Sequence, residues 1–163
     1  MDDRGGAAAA EELVRASGTG DEAAVSRLLG RGVPADTRDA EGRTGLDLAV
    51  RGGRDGVVRL LLAAGADPEQ TTGPYDEELP LVQAATGGRT GIVRQLLAAG
   101  ADPDRANRLR ATALGRAGAE GHTGTARVLL EHGADPHFRW KALTPAEWAT
   151  RFGHTETADL LRI

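Results

Sequence analysis

The 163-residue chain contains no cysteine, which excludes disulfide staples and thiolate metal sites and fits a reducing compartment. Aromatic residues make up only 3%, so a core has to be assembled from Ala, Leu and Val. Lysine is almost absent: Lys141 is the one lysine among the 20 basic residues, and the rest are Arg. The formal net charge of -4 comes without a basic tail or patch of the kind that neutralises phosphates, so no nucleic-acid partner is expected. Long apolar runs are also missing. Leu60–Ala66 is among the longest, about a third of the roughly 20 residues a membrane span requires, so no membrane partner is expected. The start, Met1-Asp2-Asp3-Arg4-Gly5-Gly6, carries acid where a secretory signal carries base, and Ala7–Ala10 is too short for its apolar region. A cytoplasmic protein is the expectation.

What the chain does have is a repeat. LLGRGVPA from Leu28, LLAAGADP from Leu61, LLAAGADP from Leu96 and LLEHGADP from Leu129 are variants of one phrase, spaced by 33, 35 and 33 residues. A period of that length means small units that cannot bury their own apolar faces and must stack on neighbours. Reading back from each phrase predicts second helices over Asp21–Gly30, Asp55–Ala64, Thr90–Ala99, Thr123–His132 and Thr155–Arg162. Each opens with Asp or Thr, so the same side-chain capping is expected five times. Val25, Leu28 and Leu29 set an apolar stripe that recurs at Val58, Leu61 and Leu62 and at Val93, Leu96 and Leu97. Gly32, Gly65, Gly100 and Gly133 are the expected left-handed stops.

A shorter first helix precedes each second one, marked by TGLDLA from Thr44, LPLVQA from Leu79, TALGRA from Thr112 and TPAEWA from Thr144, with a degenerate copy over Glu11–Ala16. The closing Ala falls at 16, 49, 84, 117 and 149. In Thr144-Pro145-Ala146-Glu147, Thr caps, Pro takes the first helical position and Glu completes a capping box.

These motifs, with Gly121-His122 and Gly153-His154 and the looser Gly53-Arg54 and Gly88-Arg89, resemble the ankyrin repeat over roughly residues 8–163. The resemblance implies an all-α solenoid of about five stacked helix-turn-helix units with short hairpin-like finger loops. The units fall at about 8–34, 35–67, 68–102, 103–135 and 136–163, after a disordered tail over 1–7. The two end units look like polar caps, so a complete array is expected. The family's histidine in its T-P-L-H motif, which supports an inter-repeat hydrogen-bond network, is replaced here by Asp47, Val82, Gly115 and Glu147, which implies a weaker network.

Catalytic patterns are missing. Ser17 and Ser26 are the only serines, neither sits in G-x-S-x-G, and no cysteine can act as a nucleophile. Gly18-Thr19-Gly20-Asp21-Glu22-Ala23 fits the dinucleotide fingerprint formally, but it joins two helices where that motif needs a strand first. His122, His132, His137 and His154 sit one by one in different units with no H-E-x-x-H. Adjacent Asp76, Glu77 and Glu78 read as a solvated acidic loop rather than an acid/base pair. No enzyme, metal or cofactor is expected.

Binding is therefore the expected role. The resemblance implies a partner on the concave side formed by fingers and first helices, and register places fingers near Asp36–Arg43, Asp67–Glu78, Asp102–Arg110 and Asp135–Lys141. The second carries Asp67, Glu69, Asp76, Glu77 and Glu78 with no base, and displays Tyr75. The third carries Arg105, Arg108 and Arg110, either solvated or in contact with a partner. The fourth offers Phe138, Arg139, Trp140 and Lys141. Trp148 reads as core. Trp140, and Phe152 beside Arg151, either face the groove as anchors or fold back over the last unit. The expected partner is an unidentified protein, an acidic or amphipathic segment of which would meet Tyr75, Arg105, Arg108, Arg110, Trp140, Lys141, Arg151 and Phe152, with the chain itself a monomer. The alternative is a self-assembling structural protein that oligomerises through the same aromatic end.

Overall fold

The computed structural model describes residues 3–72 and 78–163, and among them it holds ten helices. These are α1 (Asp3–Thr19), α2 (Glu22–Gly30), α3 (Gly45–Gly52), α4 (Asp55–Ala63), α5 (Pro80–Thr86), α6 (Thr90–Ala98), α7 (Ala113–Glu120), α8 (Thr123–Glu131), α9 (Pro145–Arg151) and α10 (Thr155–Leu161). Odd-numbered helices pack on one another in order, even-numbered helices do the same, and each odd helix packs on the even one that follows it. The result is a two-layer helical stack of five units. The second helices fall within a residue or so of their expected ends. At the N-terminus the structure differs from expectation: α1 already runs from Asp3, within the 1–7 segment expected as a disordered tail, because the Ala7–Ala10 run and Glu11-Glu12 are strong helix formers.

The core is one continuous seam running from Leu13 to Leu161. In the second helices Val25 and Leu28, Val58 and Leu61, and Val93 and Leu96 are all at or below 1% exposure, while Leu29 and Leu62 pack only partly at the edge. The closing alanines of the first helices, Ala16, Ala49, Ala84, Ala117 and Ala149, are equally buried. Their carbonyls each accept the N–H five residues on, from Asp21, Arg54, Arg89, His122 and His154, which ends the helix in a Schellman turn. The same turn ends the second helices, with Gly32, Gly65, Gly100 and Gly133 at φ of 86°, 90°, 98° and 86° as expected.

The expected five-fold capping is not what the structure shows. Only Asp21 caps its helix, accepting from Ala24 N–H at 2.9 Å. In the other four units the cap position lies one residue earlier and holds Arg54, Arg89, His122 or His154, none of which makes a side-chain cap bond. Those side chains point across the stack instead. Arg54 Nε donates to Gly18 O at 3.3 Å, Arg89 Nη2 to Arg51 O at 2.6 Å, and His122 Nε2 pairs with Thr86 O at 3.0 Å. Each reaches the last turn of the first helix one unit before. The helix-opening threonines add a second bridge, with Thr90 Oγ1 2.9 Å from Thr125 Oγ1 and Thr123 Oγ1 2.7 Å from Thr157 Oγ1. Consecutive units are thus bridged through the Gly-Arg and Gly-His steps. Gly88 and Gly121 fit this doubly: their φ values of 62° and 74° suit glycine, and a Cβ there would overlap the imidazoles of His122 and His154.

The finger bases form a second ladder, made of carboxylates. Asp36 accepts from Asp67 N–H at 2.9 Å, Glu69 from Asp102 N–H at 2.9 Å, and Asp104 from Asp135 N–H at 2.7 Å. Within each finger Asp67, Asp102 and Asp135 accept in turn from the N–H of Glu69, Asp104 and His137. Much of the acid that reads in sequence as a charged surface is therefore spent on backbone N–H groups. In the first finger Asp39, at 9% exposure, accepts from the N–H of Glu41 and of Arg43 and from Arg43 Nε at 2.7 Å. Burial pushes this carboxyl upward, but the Arg43 guanidinium, the Arg43 N–H, the Arg43 charge and the Glu41 N–H outweigh it and hold it below the ordinary carboxylate value.

Two expectations follow. Inside a helix Gly→Ala normally stabilises by about 0.5–1 kcal/mol, and Gly124→Ala in α8, where the nearest atom to a new Cβ is 3.8 Å away, should do so in denaturant unfolding. Gly118→Ala in α7 should reverse the sign, because the Cβ would come 2.6 Å from the Pro145 carbonyl oxygen of α9. For Asp39, the depressed folded-state value means that its contribution is present above the ordinary carboxylate pKa of about 4 and disappears as pH falls through the lower folded value. Asp39→Asn should cost about 1–3 kcal/mol at pH 7, and its stability should decline less between pH 5 and pH 2 than that of the wild type, as read by chemical unfolding at each pH.

Candidate partner-binding groove

Fingers and first helices line one face of the stack, and the sequence-expected residues on it divide into two groups. The fourth finger is a two-residue hairpin in which Trp140 and Leu143 exchange backbone hydrogen bonds at 3.0 and 3.1 Å. Lys141 and Ala142 at its tip have φ of 49° and 67°, the handedness of a type I′ turn, held here without the usual Asn or Gly. The turn folds Trp140 inward. At 7% exposure it packs with Ala111 and Ala119, and its indole N–H donates to Leu109 O at 3.1 Å. Trp140 is therefore not an exposed anchor; it covers the fourth unit because the tight turn leaves its ring only the apolar shelf of α7 to lie on.

Around it the remaining aromatics form a strip. Trp148 lies 4.9 Å from Trp140 and donates its indole N–H to Trp140 O at 3.0 Å, and Phe152 stacks on Trp148 at 5.8 Å with planes 12° apart. Trp148 is only partly buried, while Phe152 is 55% exposed. Cations flank the strip: Lys141 lies 5.5 Å from the Trp140 centroid and Arg151 5.8 Å from that of Trp148, within cation–π range. The structure thus gathers Trp140, Lys141, Arg151 and Phe152 through Trp148. The expected capping box at α9 is present, and the Thr144 N–H, its hydroxyl and Arg139 hold the Glu147 carboxyl below its usual value against a small desolvation effect.

The third-finger arginines stand apart from that strip. Arg105 turns to Glu69 of the neighbouring finger, pairing with its carboxylate and its carbonyl, so it supports the finger ladder. Arg108 and Arg110 are exposed, and Arg110 has φ of 61° at the fingertip. Tyr75, with Asp76 and Glu77, lies outside the described residues.

Sequence reasoning missed a cleft of about 420 Å³ between the second, third and fourth units, lined among others by Arg51, Gln83, Arg89, Leu109, Arg116 and Trp140. Leu109 is 64% exposed. Part of the signal was in the repeat register: position 116 aligns with 83, 48 and 15, one of two variable sites between the Leu and the closing Ala of the first four first helices, whereas Arg51 and Arg89 lie outside that stretch. Among the described residues no group of three or more His, Asp or Glu could hold a metal ion, and no helix is long and apolar enough to cross a membrane.

The match to known families agrees with this architecture. Residues 81–162, just over half of the chain, match the family model of ankyrin repeats in three copies, and residues 41–73 match that of a single ankyrin repeat. The chain belongs to the ankyrin repeat family, whose members are generally protein–protein interaction modules. A search of curated proteins gives no match.

Trp140→Ala should lower stability by about 3 kcal/mol in denaturant unfolding and release the fourth finger from the third. Trp140→Phe, which keeps the packing and loses the bond to Leu109 O, should cost about 1 kcal/mol.

Proposed function

We infer that this protein is a binding module, not an enzyme, that holds a polypeptide partner on the face made by its fingers and first helices. The observation that carries this reading is the partly exposed aromatic strip Trp148–Phe152, flanked by Arg151 and Lys141; the third finger adds the exposed Leu109, Arg108 and Arg110. Exposed aromatics beside Arg and Lys on a rigid scaffold supply the anchors on which protein interfaces depend. In this reading Phe152 and Arg151 contact the partner, Arg108, Arg110 and Lys141 steer it, and Trp140 and Arg105 hold the surface in shape. Tyr75, expected from sequence to join the contact, lies outside the described residues. The protein acts as a monomer in the cytoplasm, without nucleic acid, membrane or cofactor.

The exposed end supports one other reading. Ile163, at 70% exposure, lies with Leu143, Ala146 and Leu161 along a groove of about 630 Å³ on the last unit, where a second copy could seat.

Purified protein used as bait in the lysate of its host, beside Phe152→Ala/Arg151→Glu and Arg108→Glu/Arg110→Glu variants of equal helicity, should retain a polypeptide that both variants lose by at least tenfold. Retention unchanged in both would refute the placement, and a monomer–dimer equilibrium at micromolar concentration, abolished by Ile163→Asp, would favour self-assembly.

A further inference from the structure

Inside the stack each of the first four units buries an outgoing face against its successor, and the parts of that face recur in the register of the closing alanines. One part is a slot: Gly20, Gly53, Gly88 and Gly121 are covered by side chains of the next unit, Arg54, Arg89, His122 and His154 in turn. A second is a platform one residue past the closing Ala. The next unit comes so close to it that a Cβ on Gly45 would meet Ser17 Oγ at 2.6 Å, and one on Gly118 would meet the Pro145 carbonyl oxygen at 2.6 Å. A third is a hydroxyl, by which Thr90 and Thr123 reach Thr125 and Thr157 of the following units. The fourth is the leucine seam of Leu13, Leu46, Leu81 and Leu114, none above 3% exposure.

The fifth unit keeps most of these parts with nothing on them. A Cβ on Gly153 would find no atom within 4 Å. Thr150, in the register of Ser17 and Gly118, and Thr155, in that of Thr90 and Thr123, are exposed. The Thr155 hydroxyl has no partner among the described residues. Ala146 replaces the seam leucine and is only half-buried, and with Leu143, Leu161 and the exposed Ile163 it lines the groove of about 630 Å³. One interior part is missing: where Asp36, Glu69 and Asp104 offer a carboxylate to the next finger, the last unit has His137.

We propose that this outer face is a second docking surface, which takes a helix-turn-helix segment of a partner protein whose helices are like those of a repeat but which has no finger. The surface is the one that the inner units bury against each other, so the occupant's chemistry follows from what they place there. Gly45, Pro80, Ala113 or Pro145 stands one turn before the closing Ala, and Arg or His at the cap of the second helix lies over the glycine slot. The docked segment therefore carries Gly, Ala or Pro and then Ala one turn apart on its first helix, and Arg or His at the start of its second. Close packing of small residues, not charge, selects it: Arg162 is paired with Asp159 at 2.7 Å, and Glu147 accepts from the Thr144 N–H and lies 3.7 Å from Arg139. A second copy fits poorly end on end. In its first unit the position of Gly45 and Pro145 holds Glu12, paired with Arg27 at 2.9 Å, and these long side chains would meet the platform where a small residue is required. The proposal does not depend on the finger-side reading above.

The test pans a displayed library of helical hairpins, randomised on one face of both helices, against the whole protein, and titrates the enriched hairpins by fluorescence anisotropy and by amide shifts of the ¹⁵N-labelled protein. They should shift Ala146, Thr150, Gly153 and Thr155 and carry the small-residue pair and the Arg or His described above. Thr150→Arg fills the platform from an exposed position and should weaken them at least tenfold. Thr155→Val gives an independent arm: it removes a hydroxyl that makes no bond in the free protein, and should weaken severalfold those hairpins that place Thr or Ser opposite it. Circular dichroism confirms that both variants keep their helices. Hairpins that map only to the finger side, that bind Thr150→Arg as wild type, or that lack the small-residue pair would overturn the proposal, as would failure of any hairpin to enrich. Self-association at micromolar concentration in sedimentation velocity, abolished by Thr150→Arg, would make a second copy the occupant and overturn the partner assignment. The finger-side reading stands or falls separately, on the Phe152 and Arg108 variants.

Discussion

Everything in this molecule hangs on contact between neighbouring units, because no unit can bury its own seam. The decisive element is small: the residue at the cap position of α4, α6 and α8 lays its side chain on the last turn of the first helix one unit earlier, from Arg54, Arg89 and His122 to Gly18, Arg51 and Thr86. Glycine at the end of each first helix makes room for it. The apolar seam supplies most of the favourable free energy through burial, but it is nondirectional, and these polar bridges fix the rotation of one unit on the next. The finger ladder of Asp36, Glu69 and Asp104 repeats the device on the other edge of each unit. Two fixed edges leave a unit little freedom to twist.

The same bridges explain how the cleft comes about. Arg89 is at once a bridge and a wall of the cleft, and Arg116 is held by Thr86 of the unit before. Groups that a free surface would leave mobile are here ordered by the stack itself. On the fourth finger the ordering has a cost. Lys141 and Ala142 occupy left-handed backbone without glycine, a strain of roughly 1 kcal/mol or more for each, and burial of Trp140 offsets it. Strain of this kind, beside exposed Phe152 and Lys141, marks the finger whose shape the sequence has kept against local preference.

The fold was legible because a one-dimensional stack repeats its signals: the Ala at 16, 49, 84, 117 and 149 and the glycines at 32, 65, 100 and 133 fixed helix ends to within a residue or so. Capping was misread because Asp55, Thr90, Thr123 and Thr155 look like cap residues, whereas the cap position precedes them and its side chain is drawn across to another unit. No local rule carries that information. Phe152 beside Arg151 was visible in sequence as an aromatic next to a base, and it is exposed in the fold, while the direction of Trp140 depended on a hairpin turn made by residues that rarely make one. Arg51, Arg89 and Arg116 share no motif and lie 38 and 27 positions apart in sequence; only folding in register brings them to line one cleft. The acidic fingers misled in the opposite sense, since Asp67, Glu69, Asp102 and Asp104 serve backbone N–H groups before they can act as a charged surface.

The finger ladder is indifferent to which unit it joins, because each carboxylate asks only for the next unit's backbone N–H, and every non-proline residue has one. An internal unit copied or removed in register would leave every rung with a partner, so the length of the scaffold is free to drift by whole modules. The three-arginine cleft has no such translational freedom: its members come from three different column positions in three successive units. Lengthening the array would therefore add surface without adding a second cleft, and loss of any of the three units would erase it.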